Sequence, residues 1–432
     1  MPHAYFAPRF TGNNLIGGNV VRVSNLIISI LAALSYSSSA TIVVGGAQLL
    51  QLNSTFPKFD EFVLPGNPEG RFLFDASFST LKRADGMMTF ISNSWVNQYK
   101  FESQLNKPLT WGGQINVSSN FSVVPIYMAW RKHHTELWLN EPNLRNRRPD
   151  EPNLAYWSAW IPNIYERSNG DLLGFVHIED FTQCFPDGTP DWPNTCTQKR
   201  FRIGLAYSKN RGDNWTYCGH ILAPFMDAQH SNIGGVPYLV VNSGEVDYFY
   251  VYFNEHTVFG KRISVARARV SDVLNAAQSG TVTAWSKMGG TPAAPNWTQS
   301  GLTGLGEVVL TQGTPGYGTL STYDTHSDAA RSIGNLNKFL LTLFVDDPAN
   351  TTTGRYALTL FSSTNGLIWQ PESNLETSTT ALHPFSTFVA HAGANNDNSQ
   401  VGNNFDITYS RRYDLVNHQV MDLYRRQITI NP

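Results

Sequence analysis

A chain of 432 residues with 31 Lys plus Arg against 33 Asp plus Glu carries a formal charge of -2 and no basic block, which excludes the electrostatic footprint of a nucleic-acid binder. Charged residues are only 15% and aromatics 12%, which excludes a disordered chain or a coiled coil. The length fits one large all-β domain or two average ones.

Residues 1–40 read as a leader. The run LIISILAAL at 26–34 is apolar, Arg22 precedes it, and Ser38-Ser39-Ala40 follows. That is the charge, core and small-residue pattern of a secretory signal. Nine residues are too few to cross a bilayer as a helix. No other stretch is long and apolar enough, so no membrane span is expected in the mature chain. Residues 1–20 make the leader long, which leaves a later start or a retained anchor as alternatives. Six N-x-Ser/Thr acceptors fit an exported glycoprotein: Asn53, Asn116, Asn120, Asn214, Asn296 and Asn350.

Residues 41–432 read as a single domain. Residues 41–52 are a β segment. Strand, turn, strand follows at 71–78, Ala84-Asp85-Gly86 and 87–94, ending in Trp95. Residues 132–152 are charged and rich in Pro and Asn, a surface loop that includes a solvated His133-His134. The strand-turn-strand plan returns at 155–165 and 172–180, at 236–241 and 248–256, and at 328–333 and 338–347. A weaker copy lies at 384–390 and 405–412. Third strands fall at 203–208, 263–270, 356–362 and 420–430. One short helix is expected over 271–279, with Ser271 as its N-cap. Five such repeats predict a five-bladed β-propeller of mostly four-stranded antiparallel blades, with two tandem sandwiches as the alternative.

Cys184 and Cys196 flank a loop rich in Pro, Asp and Gly, so a local disulfide is expected in an oxidising compartment. Closing that loop would stabilise the fold by on the order of 3 kcal/mol. Cys218 is expected as a buried free thiol. No Cys or His pair has zinc spacing. No cofactor is expected, and calcium in the central channel has no ligand motif behind it. Oligomeric state leaves no mark on the sequence.

A propeller lines its axis with the first strand of every blade, and the second strand runs antiparallel to it. First-strand starts and second-strand ends therefore share one mouth. Asp75 and Asp328 sit near first-strand starts. His177, Glu179 and Asp180 sit at a second-strand end, as do Asn254, Glu255 and His256, and Asp346 with Asp347. His177 and Glu179 share a strand face. Converging carboxylates repel, and burial holds one of them protonated. That is the pairing glycoside hydrolysis uses: a protonated acid at the leaving oxygen and an ionised base or nucleophile opposite. Trp95, Tyr156, Trp157 and Trp160 lie near the same mouth and can stack on sugar faces. Arg267 and Arg269 alternate on a third strand and are expected to brace blades by ion pairs.

Two turns share the form S-x-(D/N/T)-x-G-x-x-W: Ser208 to Trp215, with Asn210 and Gly212, and Ser362 to Trp369, with Thr364 and Gly366. They resemble the Asp-box turns of sialidase-like propeller blades. The resemblance implies a side-chain oxygen bonded to the loop backbone, a glycine at positive φ and a tryptophan wedged between blades. The order of an Asp-led first strand, G-x-x-H-x-E-D, I-G-L-A-Y-S, Y-F-Y-V-Y-F and I-S-V-A-R-A-R resembles a group of secreted propeller proteins similar to the arabinanase, xylosidase and fructosidase glycoside hydrolases. It spans most of residues 70–430. That resemblance implies a carbohydrate substrate, with Asp75 (in Phe74-Asp75-Ala76-Ser77) as base or nucleophile and Glu179 as the choice for general acid. His177, Asp180, Trp95, Trp157, Glu255 and Asp328 would contact or position the sugar. A non-catalytic carbohydrate-binding propeller is the alternative. A lyase or sialidase-like enzyme is a third reading, and the latter would need an arginine cluster at the axis.

Overall fold

The computed structural model describes residues 40–51, 77–93, 98–103, 110–114, 157–180, 200–225, 232–257, 260–310, 322–324, 327–346, 356–378, 385–391, 395–412 and 421–432. The expected leader, the Cys184–Cys196 loop and the surface loop at 132–152 lie outside these residues.

Two short strands, β1 (Thr41–Val44) and β2 (Gln48–Gln51), open the described chain. Blade 1 is β3 (Ser79–Lys82), β4 (Met88–Asn93), β5 (Gln98–Ser103) and β6 (Thr110–Gln114). Blade 2 is β7 (Trp157–Glu166), β8 (Leu172–Asp180), β9 (Arg200–Ser208) and β10 (Thr216–Leu222). Blade 3 has a split inner strand, β11 (Asn232–Gly234) and β12 (Tyr238–Ser243), both paired with β13 (Val246–Thr257). It continues through β14 (Gly260–Arg269), helix α1 (Val270–Gln278), the hairpin β15 (Ser286–Thr291) and β16 (Ala294–Ser300), and β17 (Val308–Leu310). Blade 4 also splits its inner strand, into β18 (Thr322–Asp324) and β19 (Ala329–Ser332), before β20 (Phe339–Asp346), β21 (Tyr356–Ser363) and β22 (Gln370–Ser378). Blade 5 is β23 (Ser386–Ala390), β25 (Asn404–Arg412) and β26 (Met421–Asn431). The short β24 (Gln400–Val401) between them leaves blade 5 and pairs parallel with β19 of blade 4.

The sheets meet in rotation. β3 and β4 pack on β7, β9 on β11, β12 on β19, β19 on β23, and β23 returns to β3. The chain is a five-bladed β-propeller. Its last blade takes its outer strand from the N-terminal side: β1 pairs antiparallel with β26, from Thr41 opposite Asn431 to Val44 opposite Ile428.

A blade has neighbours on both faces, so its central strands read as nearly unbroken apolar runs rather than alternating ones. β8 is such a strand, buried at every residue from Leu172 to Ile178. The core therefore lies between blades. Trp215 closes the first interface with Leu81, Ile91 and Ile161. Phe175, Tyr238, Phe249 and Trp285 fill the second. Tyr252, Leu343 and Trp369 fill the third, and Leu340, Phe388 and Phe405 the fourth. Each such side chain gains about 1.5–3 kcal/mol on burial.

Both expected turns form, and both tryptophans are wedged between blades. Ser208 Oγ accepts from Gly212 N (2.9 Å) and Asn210 Oδ1 accepts from Asn214 N (2.9 Å), with Gly212 at φ 83. In the second turn the alignment shifts by one residue. Ser363 and Asn365, not Ser362 and Thr364, supply the oxygens: Gly366 N donates to Ser363 Oγ (2.9 Å), and Leu367 N and Ile368 N donate to Asn365 Oδ1 (2.9 Å each). An amide oxygen reaches two successive N–H groups, which a threonine hydroxyl on its shorter stem does not.

Two further expectations are corrected. Helix α1 is capped at Arg269, without a side-chain bond, and Ser271 lies inside its first turn with its hydroxyl donating to Asp272 Oδ1 (3.1 Å). β14 runs straight into the helix, leaving no loop residue to act as a cap. Arg267 stacks between Tyr248 (4.4 Å) and Trp297 (4.2 Å), and among the described residues it enters no ion pair. Cys218 is a buried free thiol, with Ala277 O at 3.5 Å.

Candidate functional site: the axial channel

In blade 2 the first residue of β7, Trp157, pairs with the last of β8, Asp180. In blade 3 Asn232 pairs with His256, and in blade 4 Thr322 with Asp346. Inner-strand starts and second-strand ends thus share one end of each of these sheets, here called the upper mouth. The chain leading into β3 joins blades 4 and 5 on that side: Ser77 Oγ donates to Ser327 O (3.2 Å) and Phe78 N to Thr387 Oγ1 (3.3 Å).

Asp75, Trp95 and Asp347 lie outside the described residues. Trp157, Glu179, Asp180, His256 and Asp346 are described in backbone only, each within one residue of a strand terminus on the upper side. His177, Glu255 and Asp328 are described in full, and their surroundings differ.

His177 is 2% exposed and enclosed within blade 2. Its ring stacks on Trp160 (5.5 Å between centroids) and meets the edge of Phe201 (5.7 Å). It shares a strand face with Leu173 and Phe175, the face that packs against blade 3.

Glu255 is 1% exposed and held by an internal network. Oε1 accepts from Lys287 Nζ (2.9 Å) and Phe225 N (2.7 Å), and Oε2 from Gly306 N (3.2 Å). Lys287 also donates to Ala223 O (2.7 Å) and stands 5.4 Å from the Phe253 ring. Burial pulls the Lys287 ammonium below its ordinary value, and Glu255 opposes that pull. A carboxylate engaged on both oxygens inside the protein ties β13, β15 and two loops together, and at 1% exposure it is enclosed rather than presented at the mouth.

Asp328 faces the axis. A small cavity there is lined by four blades and the segment after β23: Ser79 and Thr80, Asn163, Tyr238, Asp328, and Asp397. Asp328 Oδ1 accepts from Asn163 Nδ2 (2.8 Å) and its neighbour Ala329 N (2.8 Å), and Oδ2 from Phe388 N (3.0 Å). One carboxylate therefore joins blades 2, 4 and 5. Burial raises its pKa from an ordinary 3.8 to about 7, the backbone N–H groups of Phe388 and Ala329 pull it down, and the charge of Asp397 adds to the rise. Below neutral pH this carboxyl holds a proton.

Asp397 repeats the device one level lower. Oδ2 accepts from Glu166 N (2.8 Å) and Tyr238 OH (3.4 Å), Oδ1 from Ser399 N (3.0 Å) and Ser399 Oγ (2.7 Å). Burial raises its pKa also, against the bonds from Glu166 and Ser399. Asp397 belongs to the segment 395–401, which stands across the axis as a plug. Lys82 N donates to Asn396 O (2.8 Å), Ala390 N to Asn398 Oδ1 (2.8 Å), and Arg331 N to Ser399 O (2.8 Å). Asn398 takes φ 59, a left-handed conformation that Asn tolerates better than most residues.

No protein-family model matches the chain, and no curated protein matches it. Among solved structures it is similar to a protein of unknown function from Dyadobacter fermentans, at 11% identity and TM-score 0.42, covering 89% of this chain and 100% of that one. It is similar to a GH43 endo-arabinanase from Bacillus licheniformis at 11% identity and TM-score 0.41, covering 83% and 93%. It is also similar to a GH62 hydrolase in complex with xylotriose, at 8% identity and TM-score 0.44, covering 91% and 98%. Likenesses of this grade assign no residue roles.

Sequence reasoning did not find Asn163, Glu166, Tyr238 or Asp397. Asn163 appears only as a polar interruption in an apolar strand, where a register shift between Trp160 and Asn163 turns it. Asp397 sits in the run Asn395-Asn396-Asp397-Asn398-Ser399, whose density of short polar side chains was a readable sign of backbone capping. Among the described residues no group of three or more His, Cys, Asp or Glu side chains forms a metal-holding set.

Proposed function

We propose that this chain is an exported propeller that hydrolyses glycosidic bonds at the upper mouth, with Asp75 as base or nucleophile and Glu179 as general acid. Glu179 delivers its proton to the leaving oxygen as the C–O bond breaks. Asp75 either attacks the anomeric carbon or takes a proton from the attacking water, so that one water adds across the bond overall. Asp180, Trp157 and Trp95 contact the sugar. His177, packed between Trp160 and Phe201 two residues before Glu179 on the same strand, fixes the strand that carries the acid. The observation that supports this reading most is the strand register, in which carboxylate-bearing strand ends from blades 2 and 4 fall on the side where the inner strands begin.

A non-catalytic sugar-binding reading has its own support. The two axial carboxylates described in full, Asp328 and Asp397, are engaged by backbone N–H groups and act as braces between blades. One experiment separates the two: incubation of the purified protein with a panel of polysaccharides, with product analysis, for wild type and Glu179→Gln. Hydrolysis predicts soluble products and a loss of about 10²–10⁴ in turnover for the variant, with unchanged circular dichroism. Undiminished turnover removes Glu179 from the mechanism. Glycan retention without any product on long incubation replaces hydrolysis with binding.

A further inference from the structure

The opposite end of the channel carries a second and larger cavity, of about 820 Å³ and open to solvent. Blades 2 to 4 and the plug contribute to its wall. The residues that matter are Glu166, Arg167 and Arg211 from blade 2, Arg331 from blade 4, and Asn396 and Gln400 from the plug. The plug separates this cavity from the axial one, and Ser399 lines both.

The charge balance of the wall is uneven. Arg167 donates to Tyr207 OH (2.6 Å) and Gln278 Oε1 (3.0 Å). Arg331 donates to Asn337 Oδ1 (2.9 Å) and stacks on Phe339 (4.7 Å). These partners are all neutral. Arg211, whose side chain is 52% exposed, has Glu166 Oε1 at 3.5 Å. Asp247 also lines the wall and is bonded by Asn242 Nδ2 (3.0 Å). Asp171, bonded by the same Tyr207 hydroxyl (2.6 Å) and held down in pKa by that bond and in part by the Arg167 charge, compensates Arg167. The positive charge of the wall therefore rests on Arg331, whose partners are neutral, and on the half-exposed Arg211. The remaining wall is mostly carboxamide and hydroxyl, with Val240, Gly170 and the partly exposed Tyr165.

Guanidinium forks match planar carboxylates in bidentate geometry, and carboxamides pair with hydroxyl groups in both directions. We infer that the lower mouth is a second binding site, distinct from the upper mouth, for an acidic saccharide: a uronate-bearing oligosaccharide whose carboxylate is taken by Arg211 and Arg331. The site requires no hydrolysis and stands whether or not the upper mouth is an active site.

Titration calorimetry on the full chain tests this with three probes: a trigalacturonate, a neutral trisaccharide of the same linkage, and inorganic sulfate. The acidic trisaccharide binds, the neutral one binds at least about tenfold more weakly, and sulfate competes poorly. Arg211→Gln and Arg331→Gln each weaken the acidic probe by about tenfold, as removal of one charge-assisted contact does. Arg211 pairs with the largely buried Glu166, so the melting temperature of its variant is measured alongside, and Arg331→Gln, whose partners are neutral, serves as the independent variant. Equal binding of neutral and acidic probes overturns the assignment. So does full competition by sulfate, or affinity for trigalacturonate that both arginine variants leave intact.

Discussion

Asp328 makes the protein's stability depend on pH in a direction opposite to that of most carboxylates. In the folded chain burial raises its pKa from 3.8 to about 7. Between those two values the folded state holds a proton that the unfolded state has released. Stability from this group is therefore fully present below pH 4 and is lost as pH rises through about 7. At 1.36 kcal/mol per pKa unit the loss is about 4 kcal/mol. Asp397 and Glu166 are shifted in the same direction by burial and add to the slope.

The perturbation that isolates Asp328 is Asp328→Asn. The amide cannot ionise, so the variant's stability lacks this component at every pH. It also carries a constant cost, because either amide orientation turns donors toward Phe388 N–H or toward Ala329 N–H and Asn163 Nδ2. An unmet buried donor costs about 1–3 kcal/mol. Urea unfolding of both proteins at half-unit steps from pH 4 to pH 8 separates the two effects, since only the ionisation changes with pH. Wild type should be the more stable by about 1–3 kcal/mol at pH 4. The gap should close and reverse toward pH 8, moving by up to about 4 kcal/mol. A difference between the two proteins that stays flat across this range refutes the reasoning, because Asp328 would then ionise in the folded state as it does in water.

Two further outcomes follow from the packing. Lys287→Met leaves the Glu255 carboxylate buried without its cation and should cost about 3–5 kcal/mol in chemical denaturation, while the double change Lys287→Met with Glu255→Gln should recover part of that; no recovery means that the packing of the lysine stem, not its charge, was lost. Removal of residues 1–46 deletes β1 and leaves the Ile428–Asn431 part of the β26 edge unpaired, while β2 stays paired with Leu423–Arg425. Loss of the Ile42 and Val44 contacts with Gly45 N to Gln427 O (2.8 Å) should lower stability by about 2–4 kcal/mol and promote association through that edge, read by melting and by light scattering.

The blades were legible because their signals are local. Apolar runs end at Ser168-Asn169-Gly170-Asp171 or Asn242-Ser243-Gly244, and Gly170 (φ 86) and Gly244 (φ 63) take the conformations that those turns need. The pairing of β1 with β26 joins residues nearly 400 positions apart, and nothing in either strand marks the other. Arg267 reads as a charge and so suggested an ion pair. Its actual partners, Tyr248 and Trp297, are read in sequence as apolar, so the stack leaves no charge pattern to detect.

The axial residues were harder for a reason that lies in the architecture. A propeller hides the outer edge of its last blade, as β1 does here, but the inner strand of every blade remains a sheet edge that faces the channel. Its N–H and C=O groups point into a space too small to hydrate them all, and unpaired ones are costly. This chain meets that cost with side chains that cross the axis. Asp328 takes Phe388 N and Ala329 N, Asp397 takes Glu166 N, and Asn398 takes Ala390 N. Ser79 donates to Pro162 O (2.9 Å), Thr80 to Phe388 O (3.2 Å) and Asn398 to Thr80 O (2.9 Å). Edge capping thus calls for Asp, Asn, Ser and Thr on the inner strands, the same residues in the same places that sugar chemistry calls for. Composition cannot separate the two uses. Lone-pair accounting can: a carboxylate whose two oxygens already accept three backbone or amide protons is a brace, and an acid or base at the upper mouth must be one whose oxygens are left open to substrate.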